Sequence, residues 1–546
     1  MGVDSNAFNS LINDKSENSE SKQSTLEQVL TEYVGSFGSF QKLLTLYICL
    51  FVGPITSMNM ISQFLILLIP PHQCDLSTIN SNLSIVDNSL LNDLPPISTD
   101  DPPIQLINQL DGSCLIKRYI DSSPNLTNSV PCPQGWQYDH QLIYPTLVSE
   151  RDWVCEDKWK ALLPHSVYWA GATIGCFVFG AFSDKFGRVP TTMVIFMLAG
   201  LSGLAGLLFS DDFALFVVTR GLMGFAFTGS VTLVLVIEFV GLRNRLLVST
   251  AFVASHSITN GLWSAFAYYI SNWKLLLILS SLAQFLIPLV SLLTPESVRW
   301  LYSKGEFEKG AKVLQTVARF NGKDIPEKVL QSIVVRKPVP FALREFLNYP
   351  RLCRNFIFAG ILSILNGITF IGTNLYAAVL LKNPFLVLSL NAFIDAIAGL
   401  VSKNLADRYG RRRIMLINIC LSFVIYELAN FLDKNSIEFM IIFYLGRFTA
   451  ANTFNILYLY VAEIVPTFFR SRAVSTRLCL NNFGAFIAPF IISLHSYKSF
   501  LPLTIIGLTS ALSGILVVFL PETLNVPLPE TCQEAEQLGR KEGNNN

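Results

Sequence analysis

Charge is scarce in this chain. Only 14% of its 546 residues are Asp, Glu, Lys or Arg, against about a quarter in a soluble domain. That excludes an ordinary water-soluble globule. The charge that exists nearly cancels, with 40 basic and 39 acidic residues, so no electrostatic footprint for nucleic acid is present. Histidine is scarcer still: there are five, none at ligand spacing, and no metal site is expected. No glycine-rich loop ends in Gly-Lys-Ser/Thr, the signature of a phosphate cradle. Nothing resembles a nucleophile-and-base constellation. The chain therefore reads as no enzyme, and it calls for no cofactor. Its first 24 residues are polar and lack both an apolar core and a small-residue cleavage site, so no secretory signal is expected.

Long apolar runs are what it has in abundance. Hydrophobic residues make up 51% of the chain, with 41 phenylalanines, and the mean hydropathy is +0.45. A spanning helix needs about 20 apolar residues. Twelve such runs are read at roughly 43–69, 160–182, 191–209, 213–240, 248–270, 275–294, 355–381, 384–404, 413–432, 437–463, 473–493 and 500–520. The eighth and eleventh are the weakest, because they carry polar residues. The fold class expected is an all-α polytopic membrane protein of twelve helices.

Two longer pieces interrupt the series. The first, 70–159, carries two glycosylation sequons, at Asn82 and Asn125. It also holds Cys74, Cys114, Cys132 and Cys155, an even set that suggests two disulfides with the connectivity open. The second, 295–354, is basic and shows helical periodicity over Phe307–Phe320 and again near Ile325–Val335. Lys185/Arg188, Arg243/Arg245, Arg408 with Arg411–Arg413, and Arg470/Arg472 fall in alternate loops. The positive-inside rule then puts both termini and 295–354 in the cytosol and 70–159 outside. The tail from Pro521 reads as mobile.

The two halves repeat. Asp184-Lys-Phe-Gly-Arg188 is echoed by Asp407-Arg-Tyr-Gly-Arg411, Arg220 by Arg447, Glu238 by Glu463, and Pro295-Glu-Ser by Pro521-Glu-Thr. All four pairs stand about 225 residues apart, the mark of a duplicated unit. Such halves place a solute path between them near the bilayer midplane, and rocking gives alternating access. The division expected is a cytosolic segment 1–42, a first six-helix half 43–294, a cytosolic linker 295–354, a second half 355–520 and a tail 521–546.

Gly180-x-x-x-Asp184-Lys-x-Gly187-Arg188 resembles the loop between helices 2 and 3 of the major facilitator superfamily. More narrowly, the chain is similar to the organic cation, organic anion and carnitine transporter family. The resemblance is carried by Gly35–Gln41, Gly135–Asp139, Trp153–Trp159, Glu238-x-x-Gly241-x-x-x-Arg245, Pro295–Leu301, Ala462-Glu463-x-x-Pro466-Thr467-x-x-Arg470 and Pro521–Thr531. It implies carriage of small organic ions, often at a plasma membrane, without ATP hydrolysis. The eleventh helix of relatives carries an Asp or an Arg where this chain has Asn482, and the seventh an aromatic where it has Ser363. The eighth keeps its acidic residue as Asp395.

Asp395 is an ionisable group inside an apolar run, where a carboxylate must face the bundle interior or a wet cavity. It reads as a counter-ion for a cationic solute or a proton carrier, or else as the buried partner of a base such as Lys403. Asn482 reads as a solute hydrogen-bonding group or as helix–helix glue. Tyr458 and Phe454, four apart on one helix face, are the candidate aromatic wall. Asp184, Gly187, Arg188, Glu238, Arg245, Asp407, Arg411, Glu463 and Arg470 are expected to form a charge network that closes the cytosolic side, with Gly187 permitting the tight turn. The solute expected is an organic cation or zwitterion, moved by voltage or by a coupled proton or sodium ion. The alternatives are an organic anion or carnitine-like solute, and a non-transporting membrane sensor that kept the fold.

Overall fold

The computed structural model describes residues 24–75, 115–119, 127–132, 135–227, 230–331, 333–334, 346–381, 383–434, 436–466, 469–526 and 528–538. Twelve membrane-crossing elements follow one another among them. They are α1 (Ser39–Leu65), α2 (Lys158–Phe186), α3 (Arg188–Leu208), α4 (Phe213–Phe225 with Ser230–Phe239), α5 (Leu242–Ile270) and α6 (Trp273–Ser291). The second set is α7 (Pro350–Leu380), α8 (Pro384–Tyr409), α9 (Arg411–Ala429), α10 (Ile437–Glu463), α11 (Arg470–Ser493) and α12 (Leu501–Val518). Eight are long and apolar enough to cross a membrane on those criteria alone. The other four are α4, which is in two pieces, and α5, α9 and α10.

The helix starts are encoded locally. Asp212, Asn272, Asn383 and Ser436 accept first-turn backbone N–H groups with their side-chain oxygens at the heads of α4, α6, α8 and α10. Pro350, Pro384 and Pro502 occupy first-turn positions, where no N–H is needed. Glycines set the closest approaches. A Cβ on Gly175 of α2 would meet the Phe225 carbonyl of α4, and one on Gly484 of α11 would meet the Ile364 carbonyl of α7. Small residues of this kind let membrane helices pack backbone to backbone.

Small strands supplement the helices. β2 (His72–Cys74) pairs antiparallel with β5 (Trp136–Tyr138), and β3 (Leu115–Tyr119) with β4 (Thr127–Pro131). Cys74 and Cys132 form a disulfide. Cys155 is also disulfide-bonded, while Cys114, Asn82 and Asn125 lie outside the described residues. We call this end of the bundle the disulfide end and the opposite one the basic end.

At the basic end the linker helix Phe307–Phe320 matches its expected range and buries Gly310, Leu314, Val317 and Ala318 on one face. The second periodic stretch does not form one helix. It is a short helix, Glu327–Gln331, followed by β6 (Ile333–Val334), which pairs in parallel with β1 (Ser24–Thr25). The reason is the partner strand, an N-terminal segment far away in sequence. Nor is the tail from Pro521 loose where it is described. Its helix Cys532–Gln537 docks so that Glu536 accepts the Arg351 and Leu352 N–H groups at the head of α7, at 3.1 and 2.8 Å.

The apolar core is divided in an informative way. At the disulfide end one cluster joins both halves, including Phe64, Trp263, Trp273, Tyr376, Phe385 and Phe443. At the basic end there are two clusters. One draws on residues from Leu26 to Ile333 and includes Phe239 and Leu314. The other draws on Phe346 to Ala535 and includes Tyr460 and Phe469. The halves are sealed together at one end and separate at the other.

Candidate functional site

The inter-half seam is built by α2 against α11 and α5 against α8. Ser389 Oγ of α8 donates to the Gly261 carbonyl of α5 at 2.9 Å. The Phe385 ring lies tilted against Tyr144 and edge-on to Tyr268, with centroids 5.5 and 5.7 Å apart. Further along, Asn482 of α11 is buried and donates to Cys176 Sγ of α2 at 3.7 Å. Asn482 thus touches α2 across the seam. Ser363 is also buried and donates to the Ala359 carbonyl of its own helix at 2.7 Å.

Asp395 is not a free counter-ion. Arg447 grips it with Nε to Oδ1 at 2.9 Å and Nη2 to Oδ2 at 2.5 Å. The Arg447 side chain is fully buried and that of Asp395 15% exposed. Of the two readings offered for Asp395, the buried partner of a base matches this pair, but the base is Arg447 from α10 and not one such as Lys403. Arg447 Nη1 also donates to the Phe370 carbonyl and to Thr373 Oγ1. A two-pronged guanidinium–carboxylate pair of this kind neutralises both groups where neither could be solvated.

Arg447 begins a column. Its guanidinium lies 3.9 Å from the centre of the Phe370 ring. Phe370 stacks on Phe454, centroids 4.7 Å apart and 18° off parallel. The guanidinium of Arg477, on α11, covers the other ring, 4.5 Å from the Phe454 centroid and 5.5 Å from that of Tyr458. Phe454 and Tyr458 thus stand together as expected, and Tyr458 is 44% exposed. The unexpected member is Arg477. It is a cation two helical turns past Arg470, 2% exposed, with no carboxylate within ion-pair reach among the described residues. The sequence signal was an arginine inside the eleventh apolar run.

The first half offers a polar wall. Ser57 donates to Asn260 at 2.9 Å, Trp263 Nε1 to Ser62 at 2.9 Å and Tyr168 to Asn59 at 3.5 Å. The signal for these residues was the row of polar side chains within the first run, which the pattern of apolar length alone conceals.

The charge network at the basic end is duplicated residue for residue. Arg188 pairs with Asp184 at 3.3 Å and Glu238 at 3.4 Å, and Arg411 with Asp407 at 2.8 Å and Glu463 at 3.2 Å. Gly187 and Gly410 adopt φ of +107° and +99°, a region that strongly favours glycine. Glu296 accepts the Arg188 and Val189 N–H groups at 2.9 and 3.1 Å, and Glu522 accepts that of Arg411 at 2.9 Å. Here the repeated Pro-Glu-Ser/Thr motif finds its reason: each glutamate caps the helix that follows the glycine turn. Within the expected network, Glu238 and Glu463 pair directly with Arg188 and Arg411. Arg245 pairs with Glu27 at 3.4 Å, and Arg470 Nε donates to the Ala462 carbonyl at 2.7 Å. Each of these ties lies within one half, and in this state none bridges the separated ends.

Comparison with known proteins agrees with this architecture. The model of the sugar (and other) transporter family matches residues 140–534. Solute carrier family 22 member 12 of Mus musculus is 28% identical, the match covering 94% of this chain and 96% of that protein. Organic cation/carnitine transporter 2 of Homo sapiens is 26% identical over 92% of this chain and 93% of its own. Among solved structures, the inward open conformation of the xylose transporter XylE from E. coli superposes with a TM-score of 0.55 at 16% identity, covering 71% of this chain and 91% of that one. The twelve helices in two repeats are thus the major facilitator fold, and the chain belongs to the sugar (and other) transporter family.

Proposed function

We propose that this protein carries small organic ions across a membrane by alternating access, and that the structure is its inward-facing state. The observation that carries this reading is the divided core: one shared cluster at the disulfide end, two separate clusters at the basic end. A solute bound between the halves would reach only the side faced by the basic end. The positive-inside rule makes that side the cytosol, and a disulfide belongs on the oxidising side of a plasma membrane. The moving bodies are residues 43–294 and 355–520, with 295–354 as the linker. The network around Arg188 and Arg411 would close the cytosolic side in the opposite state, with Asp184, paired to Arg188 but 77% exposed here, able to reach across. One relative is by name an organic cation/carnitine transporter, and flux here would run on membrane potential or on a proton or sodium gradient. A preference for cations loses its main support, because Arg447 already neutralises Asp395.

Tethering the disulfide end tests this. Tyr268 of α5 and Phe385 of α8 face each other across the seam. In a Tyr268→Cys/Phe385→Cys protein, a short bifunctional thiol cross-linker should stop uptake, and cleaving the link should restore it. Full uptake with the link in place would rule out rocking about this seam.

A further inference from the structure

We propose that Cys176 of α2 and Cys479 of α11 are a peroxide-responsive thiol pair, whose disulfide fastens one half of the protein to the other. Formation of the bond stands apart from the transport reading above; arrest of the carrier by that bond rests on it.

Six cysteines are free among the described residues, and these two meet across the seam between the halves. Their thiols hydrogen-bond to each other. Asn482 donates to Cys176 Sγ at 3.7 Å, and Cys479 stands three residues before Asn482, on the same face of α11. The depths also match. Cys176 is ten residues short of Phe186, the basic end of α2, and Cys479 nine residues past Arg470, the basic end of α11. Each therefore lies about 14 Å in from that end. A disulfide needs Cα atoms about 4.4–6.8 Å apart. Two packed helices whose thiols already touch reach this by rotation about χ1 and a small shift.

The chemistry has an order. Cys479 is buried and Cys176 only half-buried, so the oxidant meets Cys176 first. The Asn482 amide aimed at its sulfur favours the thiolate, which is the nucleophilic form. The thiolate attacks one oxygen of hydrogen peroxide and the O–O bond breaks. A sulfenic acid forms, and the departing hydroxide takes up the proton that Cys176 gave off and leaves as water. Cys479 sulfur then attacks the sulfenic sulfur, the S–O bond breaks, and the leaving hydroxyl carries away the Cys479 proton as a second water. The two thiols lose two electrons and two protons, and the peroxide becomes two waters. The halves are separate at the basic end, so a small neutral peroxide enters from that side. The thiol pool of the cytosol enters there too and keeps the pair reduced at rest. The Cys74–Cys132 bond differs, since it lies at the opposite end and within the first half. Rocking requires α2 and α11 to move past each other at the seam. Once linked they cannot, and the carrier stays inward-facing.

The test uses the purified full chain in proteoliposomes, reduced with dithiothreitol, freed of it and then given hydrogen peroxide. Digestion without reduction, followed by peptide mass analysis, should show the Cys176 and Cys479 peptides joined, and dithiothreitol should part them. Cys176→Ser and Cys479→Ala should each abolish the joined product. Exchange of radiolabelled benzoate, carnitine or tetraethylammonium, whichever the reduced protein carries, should fall in proportion to the linked fraction and return with dithiothreitol. Both variants should keep their flux through the same peroxide treatment. Absence of the joined peptide at a peroxide dose that oxidises Cys49, another free thiol, would overturn the proposal. A joined peptide with unchanged flux would overturn the arrest. If the reduced protein exchanges none of the three compounds, the transport reading falls, and the joined peptide still decides whether the bond forms.

Discussion

Asp395→Asn should strip most folded protein from the membrane rather than merely weaken solute binding. The substitution leaves the fully buried Arg447 without its counter-charge. Removing one partner of a buried pair costs about 3–5 kcal/mol, because the other is left uncompensated. Natural proteins have a margin of only about 5–15 kcal/mol. The remaining ties of Arg447, to the Phe370 carbonyl and Thr373, are hydrogen bonds to neutral groups and do not replace a carboxylate. Asp395→Asn/Arg447→Gln removes both charges and should recover surface protein relative to the single variant. Surface biotinylation with size-exclusion profiles of the detergent-solubilised protein reads both. Should Asp395→Asn reach the surface in normal amounts and lose only flux, Asp395 would be acting on solute, as its position in an apolar run first suggests.

Glu296→Ala should destabilise the fold, and Asp184→Ala should not. Glu296 is the acceptor for the first two N–H groups of α3, at 2.9 and 3.1 Å, and sits at the positive end of that helix. Hydrogen bonds to a charged group contribute about 1.5–3 kcal/mol each, so its loss should cost about 2–4 kcal/mol overall once water replaces part of them. Asp184 pairs with Arg188 at 3.3 Å but is 77% exposed, and exposed pairs contribute about 0–1 kcal/mol. Thermal unfolding in detergent should show a clear fall in Tm for Glu296→Ala and little for Asp184→Ala. If Asp184 latches the cytosolic side in the outward-facing state, its alanine variant should lower turnover more than affinity. An unchanged Tm for Glu296→Ala would remove the capping role, and an affinity loss with intact turnover for Asp184→Ala would remove the latch.

Much of this was legible beforehand because membrane helices announce themselves by length and apolarity, and because a duplicated unit repeats its landmarks. The Gly187 and Gly410 turns, the Arg188 and Arg411 pairs and the linker helix Phe307–Phe320 all follow from local pattern. What was not legible depends on which helix faces which. Asp395 sits 52 residues from Arg447, and no spacing rule joins α8 to α10. Arg477 follows Arg470 by two turns and so reads as the tail of an interfacial basic cluster, until packing lays it over Phe454. Glu27 pairs with Arg245 across 218 residues. The β1–β6 pairing joins the N-terminal segment to the linker, so helical periodicity near Ile325–Val335 could not reveal it. Asn482 reads from the sequence as a polar residue deep in the eleventh run, and only packing lays it beside Cys176 of α2.

Counterflow in proteoliposomes tests the central claim most directly. Vesicles holding the purified protein are preloaded in turn with unlabelled benzoate, carnitine or tetraethylammonium and diluted into the same compound carrying a radiolabel. A carrier that alternates access exchanges label against the internal pool, so label should accumulate transiently above equilibrium for at least one of the three. No overshoot for any of the three, from protein that is folded and inserted, would contradict carriage of such ions by alternating access.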